Sequence, residues 1–277
     1  METRGTRALR PYTGVSKAAC FRKGKPVSLL KVQDVRKTYR THLVGPPVEA
    51  LRGVSFKVAK GEFVAIMGES GSGKTTLLNI LATLDTPTAG HVFLGERDLA
   101  RVRERDIASF RRDHLGFVFQ DFNLLDSMSV RDNAFLPLVL AGTPYDEMER
   151  RLGPLARALG IDRLLDKYPW ELSGGQRQRT AVARALITRP DILLADEPTG
   201  ALDSHSSESL LEIFERLGAR GQTIVMVTHS VQAASHAQRV LFLRDGRICR
   251  RLRRGDHTAG AFFGAITRAQ AQIASER

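Results

Sequence analysis

Eight consecutive residues, Gly68-Glu69-Ser70-Gly71-Ser72-Gly73-Lys74-Thr75, fit the full phosphate-loop pattern, with Thr76 directly after them. Glycines at this spacing let successive backbone N–H groups turn toward one anion, and a following helix adds the positive end of its dipole. The chemistry is phosphate binding: Lys74 reaches toward the β- and γ-phosphates of a nucleotide, and the Thr75 hydroxyl offers an oxygen to Mg²⁺. Further along, Ile192-Leu193-Leu194-Ala195-Asp196-Glu197 is an apolar run ending in two carboxylates. Asp196 there suits Mg²⁺, and Glu197 suits the base that polarises an attacking water. Between them, Leu172-Ser173-Gly174-Gly175-Gln176 occurs once. Ser173 can cap a helix starting near Gln176, and the two glycines leave its first N–H groups open to an anion, which makes a second phosphate-binding helix end.

These motifs need a particular scaffold. Phosphate loops lie between a buried strand and a helix, so Phe63-Val64-Ala65-Ile66-Met67 is read as the strand and the segment after Gly73 as the helix, ending near Asp85-Thr86-Pro87. Strand patterns precede it at Leu29 to Val32 and Val54 to Val58 and follow it at Ile192 to Ala195 and Thr223 to Thr228; the last two flank a helix, Ser207 to Leu217. Alternating buried strands and helices indicate an α/β fold with a mainly parallel sheet covered on both faces. Residues from Asp121 to Leu172 read as mostly helical, punctuated by Pro137, Pro144, Pro154 and Pro169. Three parts are expected: a basic tail over 1–27, a nucleotide-binding domain over 28–250, and a basic segment over 251–277. In the last, Phe262, Ile266, Ala269 and Ile273 recur at helical spacing and are expected to pack back on the domain.

Composition narrows the function classes. The chain has 277 residues, 42% of them hydrophobic, enough for one substantial core, and no apolar stretch of the roughly 20 residues a membrane-spanning helix needs. The amino terminus lacks the apolar stretch of a secretory signal, so the chain is expected in the cytoplasm, soluble or peripheral to a membrane. Cys20 and Cys249 have neither disulfide-framework nor zinc spacing. The net charge of +12 is concentrated at the ends: residues 1–27 carry +6 and 244–277 carry +5, leaving +1 in between. No basic stripe for nucleic acid results, and the tail reads as solvated, with weak attraction to anionic lipid as its alternative.

Taken together, the phosphate loop, the Leu172 to Gln176 pentapeptide and the acidic strand end resemble the ATP-binding cassette (ABC) ATPases over residues 28–250. The resemblance implies a P-loop cassette with a mainly parallel core sheet, an antiparallel β subdomain and a helical subdomain. It also implies ATP and Mg²⁺ as ligands, and active sites completed by a second copy of the cassette. It assigns Gln120, in Gly116-Phe117-Val118-Phe119-Gln120, to the glutamine that contacts Mg²⁺ or water, and Asp203, in Ala201-Leu202-Asp203, to a loop crossing the dimer interface. His229, following the apolar run taken as the sheet's last, becomes the switch histidine, and Tyr39 the aromatic that stacks on adenine.

Within the family, Leu81 to Asp85, Phe119 to Asp126 and Met226 to His236 resemble the bacitracin-resistance type, near the macrolide-exporter, lipoprotein-release and cell-division types. That likeness implies a motor subunit working with a permease on a separate chain, in resistance to or sensing of peptide antibiotics, on the cytoplasmic face of the membrane. A soluble ABC ATPase acting on nucleic acid or ribosomes is the alternative from a different class.

Overall fold

The structure, a computed structural model, describes residues 28–40 and 46–276; the tail over 1–27 lies outside the described residues. The chain opens with β1 (Ser28–Tyr39) and β2 (Val48–Ala59), an antiparallel pair burying Leu30, Val32 and Val35 against Leu51, Val54, Phe56 and Val58. The alternation on β2 breaks at Gly53, where φ is +93° and the register shifts, a β-bulge. After β3 (Phe63–Met67) and α1 (Lys74–Leu81), β4 (Ala89–Leu94) and β5 (Arg97–Asp98) complete a four-stranded antiparallel sheet in the order β2-β1-β4-β5.

Helices and strands make up the remaining elements. They are α2 (Glu104–His114), β6 (Leu115–Val118), α3 (Val130–Val139), α4 (Tyr145–Leu159), α5 (Gly174–Leu186), β7 (Ile192–Asp196), α6 (Ser204–Ala219), β8 (Thr223–Thr228), α7 (Val231–Ser235), β9 (Arg239–Arg244), β10 (Arg247–Arg253) and α8 (Ala259–Ser275). The second sheet runs β10-β9-β3-β8-β7-β6, parallel except for β10 at its edge.

Every residue of β3 is buried, and successive side chains enter different cores. Phe63, Ala65 and Met67 pack with α3 to α8, whereas Val64 and Ile66 pack with α1 and the antiparallel sheet. β7 and β8 divide likewise, Leu193 and Met226 on one side, Leu194 and Val225 on the other. A period of two with apolar residues at both phases is what a strand covered on both faces requires.

Several expectations are corrected. α1 ends at Leu81, before the Asp85-Thr86-Pro87 stop, because Thr83 takes φ +58° and the chain turns there. Pro137 and Pro154 lie inside α3 and α4 instead of ending helices. Around Pro154, Leu152 and Ala156 are fully buried, and tertiary packing outweighs the lost hydrogen bond. β8 is not the sheet's last apolar strand: β9 follows and pairs with β3. The division after residue 250 falls within β10, which runs to Arg253. α8 does pack back, with Phe262, Ile266 and Ala269 buried in the core of the helical face.

Candidate active site

The phosphate loop joins β3 to α1 along a path that only glycine permits at two points. A Cβ on Gly68 would lie 2.2 Å from the Leu243 carbonyl oxygen, and one on Gly73, where φ is +101°, 2.5 Å from that of Ala50. The loop is also tied from behind, since the Ser72 carbonyl accepts from the Gly246 amide at 3.1 Å. Ser72 itself turns inward, its hydroxyl buried without a partner among the described residues.

In front of the loop lies a cleft of about 770 Å³. It is lined by Gly68, Glu69, Ser70, Gly71, Gly73, Lys74, Thr75 and Thr76, by Glu197 and His229, and by Ala50 and Gln270. Lys74 Nζ donates to the carbonyls of Gly68 and Glu69, each at 2.8 Å. Burial holds this amine below the usual lysine range, opposed by the nearby Glu197 and Asp196 carboxylates. Burial also pushes Asp196 above the usual carboxylate range, aided by Glu197 and opposed by Lys74. One cation and two acids thus share a partly desolvated space at the carboxyl ends of β3 and β7, where α/β sheets bind ligands.

β7 ends at Asp196, so Glu197 stands just beyond it, at φ +44°. Its amide donates to the Val227 carbonyl at 2.9 Å, and its Oε1 lies 2.9 Å from His229 Nδ1. A positive φ at a non-glycine residue is uncommon, and its occurrence at a carboxylate facing the cleft agrees with strain stored at a functional site. Tyr39 sits beside Thr76 at the start of α1; its hydroxyl donates to Asp85 Oδ2 at 2.8 Å, Lys37 Nζ lies 4.9 Å from its ring centre, and the ring remains half exposed.

The remaining expected residues do not line this cleft. α5 begins at Gly174, two residues earlier than read from the sequence. Ser173 caps it, accepting from the Gln176 amide at 3.3 Å, while Gln176 Oε1 accepts from the Ser173 amide at 3.0 Å. Gln176 is thus folded back to hold the helix end. Gly175 is buried, and a Cβ there would meet Ser206 Oγ at 2.8 Å, so close packing on α6 accounts for this glycine as well as anion access. Asp203 is exposed and caps α6, accepting from the Ser206 amide at 2.9 Å. The Gln120 side chain rests against Gly200, where a Cβ would meet its Cδ at 3.1 Å.

Three residues near the site carried no sequence signal. Gln178 and Arg184, on α5, donate to the backbone on either side of Gln120: Gln178 to Phe119, and Arg184 to Phe122 and Asn123. Gln270 lines the cleft from α8. Their polar types resemble neighbouring surface positions, and only tertiary contact distinguishes them.

A phosphate loop, an acidic strand end and a histidine at the edge of a doubly covered parallel sheet define a P-loop nucleoside triphosphatase. Residues 51–200, just over half of the chain, match the family model described as ABC transporter. The chain belongs to the ABC transporter family, as an ATP-binding and ATP-hydrolysing subunit. The bacitracin export ATP-binding protein BceA of Halalkalibacterium halodurans is 44% identical over 88% of this chain and 96% of its own length. The macrolide export ATP-binding/permease protein MacB of Syntrophobacter fumaroxidans is 48% identical over 80% of the chain, which matches only 31% of that longer protein. Among solved structures, the dimeric bacterial ABC transporter cassette MJ0796 superposes with a TM-score of 0.74 and 38% identity, covering 81% of this chain and 98% of that one. Its post-hydrolysis dimer bound to ADP and Pi gives 0.73.

Proposed function

We propose that this chain works as a homodimer docked on a separate membrane permease and powers resistance to, or sensing of, antimicrobial peptides. One observation carries the dimer: the cleft gathers the phosphate loop, Glu197 and His229 but leaves Ser173 to Gln176 outside it. A capped helix end with free N–H groups is suited to a phosphate, and a second copy can bring one to it. Each ATP then lies between one chain's phosphate loop and the other's Ser173, and its γ-phosphate supplies the differential binding that favours closure.

Within a site, Lys74 and the loop amides hold the β- and γ-phosphates, and Tyr39 stacks on the base. Thr75, Asp196 and Gln120 offer oxygens to Mg²⁺. Among the described residues no cluster of three His, Cys, Asp or Glu could cage a metal. That fits Mg²⁺, which is commonly bound by one or two protein oxygens together with substrate phosphates. Bound there, it neutralises charge on the phosphate oxygens. Glu197 orients water and takes its proton, and His229 steadies the γ-phosphate.

No helix among the described residues is long and apolar enough to cross a membrane, so attachment to its cytoplasmic face would come through the permease. The peptide-antibiotic assignment draws on the likeness to BceA along nearly that protein's whole length. Mixing Ser173→Arg protomers with Lys74→Ala protomers tests the composite site: each mixed dimer keeps one intact site at most, so activity is expected only in the mixture. Activity confined to monomers would overturn the scheme. Extraction in mild detergent tests the subclass, since a permease with a large extracellular domain should copurify, and recovery of a ribosome or DNA instead would defeat it.

A further inference from the structure

Gln178 lies on α5, two residues beyond the capping Gln176, and is fully buried. Its Nε2 donates to the Phe119 carbonyl at 3.0 Å and to the Pro198 carbonyl at 2.7 Å. Both partners are obligate acceptors, so the amide must turn its NH₂ toward them, and its orientation is set by chemistry. Phe119 immediately precedes Gln120, and Pro198 immediately follows Glu197. One side chain on the helix capped by Ser173 therefore holds the backbone next to Glu197, which lines the cleft, and next to Gln120.

Neighbouring contacts join the same three segments. A Cβ on Gly200 would meet Gln120 Cδ at 3.1 Å, and one on Gly174 would meet Leu202 Cδ2 at 3.4 Å. The other end of the Gln178 amide has no such use: Oε1 is buried without a partner among the described residues. Burying an unmatched acceptor is unfavourable, and an apolar side chain of similar size would avoid it. What the amide supplies, and Met or Leu cannot, is the pair of hydrogen bonds to Phe119 and Pro198.

We propose that Gln178 is a positioning residue that couples the two ATP sites of the dimer. Through α5 it senses where Ser173 sits on the partner's nucleotide. Through Phe119 and Pro198 it passes that position to Gln120 and Glu197, which act on the chain's own nucleotide. The proposal rests on the composite-site reading above. Ser173 and Gln178 are separated by little more than one helical turn, so displacement at the helix end reaches the amide with little loss. The consequence is a coupling free energy between sites: Glu197 is aligned at one site when the start of α5 is engaged at the other.

The test compares ATP hydrolysis by the full chain and by Gln178→Met, which keeps side-chain length without donors. Wild type is expected to show a Hill coefficient approaching 2, the number of sites. In Gln178→Met it should fall toward 1, with kcat reduced on the order of tenfold and the affinity for a fluorescent ATP analogue unchanged. A folded variant with wild-type cooperativity would overturn the proposal, as would a kcat loss that merely tracks the folded fraction. A wild-type chain that is itself non-cooperative and never dimerises with ATP would instead remove the composite-site reading, and the coupling with it.

Should Gln178→Met fail to fold, hydrogen exchange on unmutated protein decides. On titration with a non-hydrolysable ATP analogue, amides over 117–121, 173–178 and 198–203 should gain protection in one transition. Separate midpoints for 173–178 and the other two segments would refute the coupling.

Discussion

Glu197 Oε1 lies 2.9 Å from His229 Nδ1, and the Glu197 amide donates to the carbonyl of Val227, two residues before that histidine, at 2.9 Å. The ends of β7 and β8 are thereby joined by both backbone and side chains. The spacing of paired strands, and not a flexible loop, sets how closely the carboxylate and the imidazole approach.

This geometry makes Glu197→Gln informative. The amide keeps the size and the hydrogen bond but cannot take a proton from water. ATP binding should persist, a closed dimer should accumulate on gel filtration with ATP, and turnover should fall by about 100-fold or more. Near-normal hydrolysis would reject Glu197 as the base.

Asp196 gives a pH dependence whose sign can be worked out. Its carboxyl is pushed up by burial and by Glu197, so the folded state holds its proton to higher pH than the unfolded chain does. Stability linked to this group is therefore greatest below the ordinary carboxylate pKa and is lost as pH rises through the raised folded value. Asp196→Asn should accordingly unfold at a higher temperature than wild type near about pH 7, with the difference shrinking toward about pH 4. Thermal scans without nucleotide, made across that range, check it; a constant offset would contradict the linkage.

Tyr39 offers one exposed ring beside the start of α1. Tyr39→Ala should weaken ATP binding by about 1–3 kcal/mol, the usual worth of a base stacked on an aromatic ring. Tyr39→Phe keeps the ring and loses the hydroxyl's bonds to Asp85 and Thr76, so its affinity should remain close to wild type. Equilibrium titration with a fluorescent analogue separates the two variants, and equal affinities for wild type and Tyr39→Ala would remove the stacking role.

Gly175→Ala places a Cβ 2.8 Å from Ser206 Oγ and 3.0 Å from Ser206 Cβ. Crowding of this kind costs about 1–3 kcal/mol. Combining it with Ser206→Gly should recover most of the loss in denaturant unfolding. Failure of the double variant to recover would show that the glycine is needed for another reason.

Much of this was legible in the sequence because the chemistry is local. The phosphate loop, the acidic end of β7 and the capping serine of α5 each lie within a few consecutive residues, and each motif implies its flanking elements. What escaped depends on contacts between distant segments. Pro137 and Pro154 look like helix breaks until the packing around them is known. β9 and β10 carry four arginines between Arg244 and Arg251, which conceals a strand pair at the sheet edge. Gln178 sits between Arg177 and Arg179 and is indistinguishable from them by type. Its burial, and the two carbonyls it reaches, exist only once α5 lies across the ends of β6 and β7.

The position of α8 has a practical consequence for anyone handling the protein. Arg244 Nη1 donates to the Ile273 carbonyl at 2.5 Å and Arg250 Nη1 to Gln272 Oε1 at 2.5 Å, so the last turns of the helix are fastened beside the strands behind the phosphate loop, and Gln270 faces the cleft itself. Trimming the chain back to a minimal cassette would strip away one of the cleft's walls.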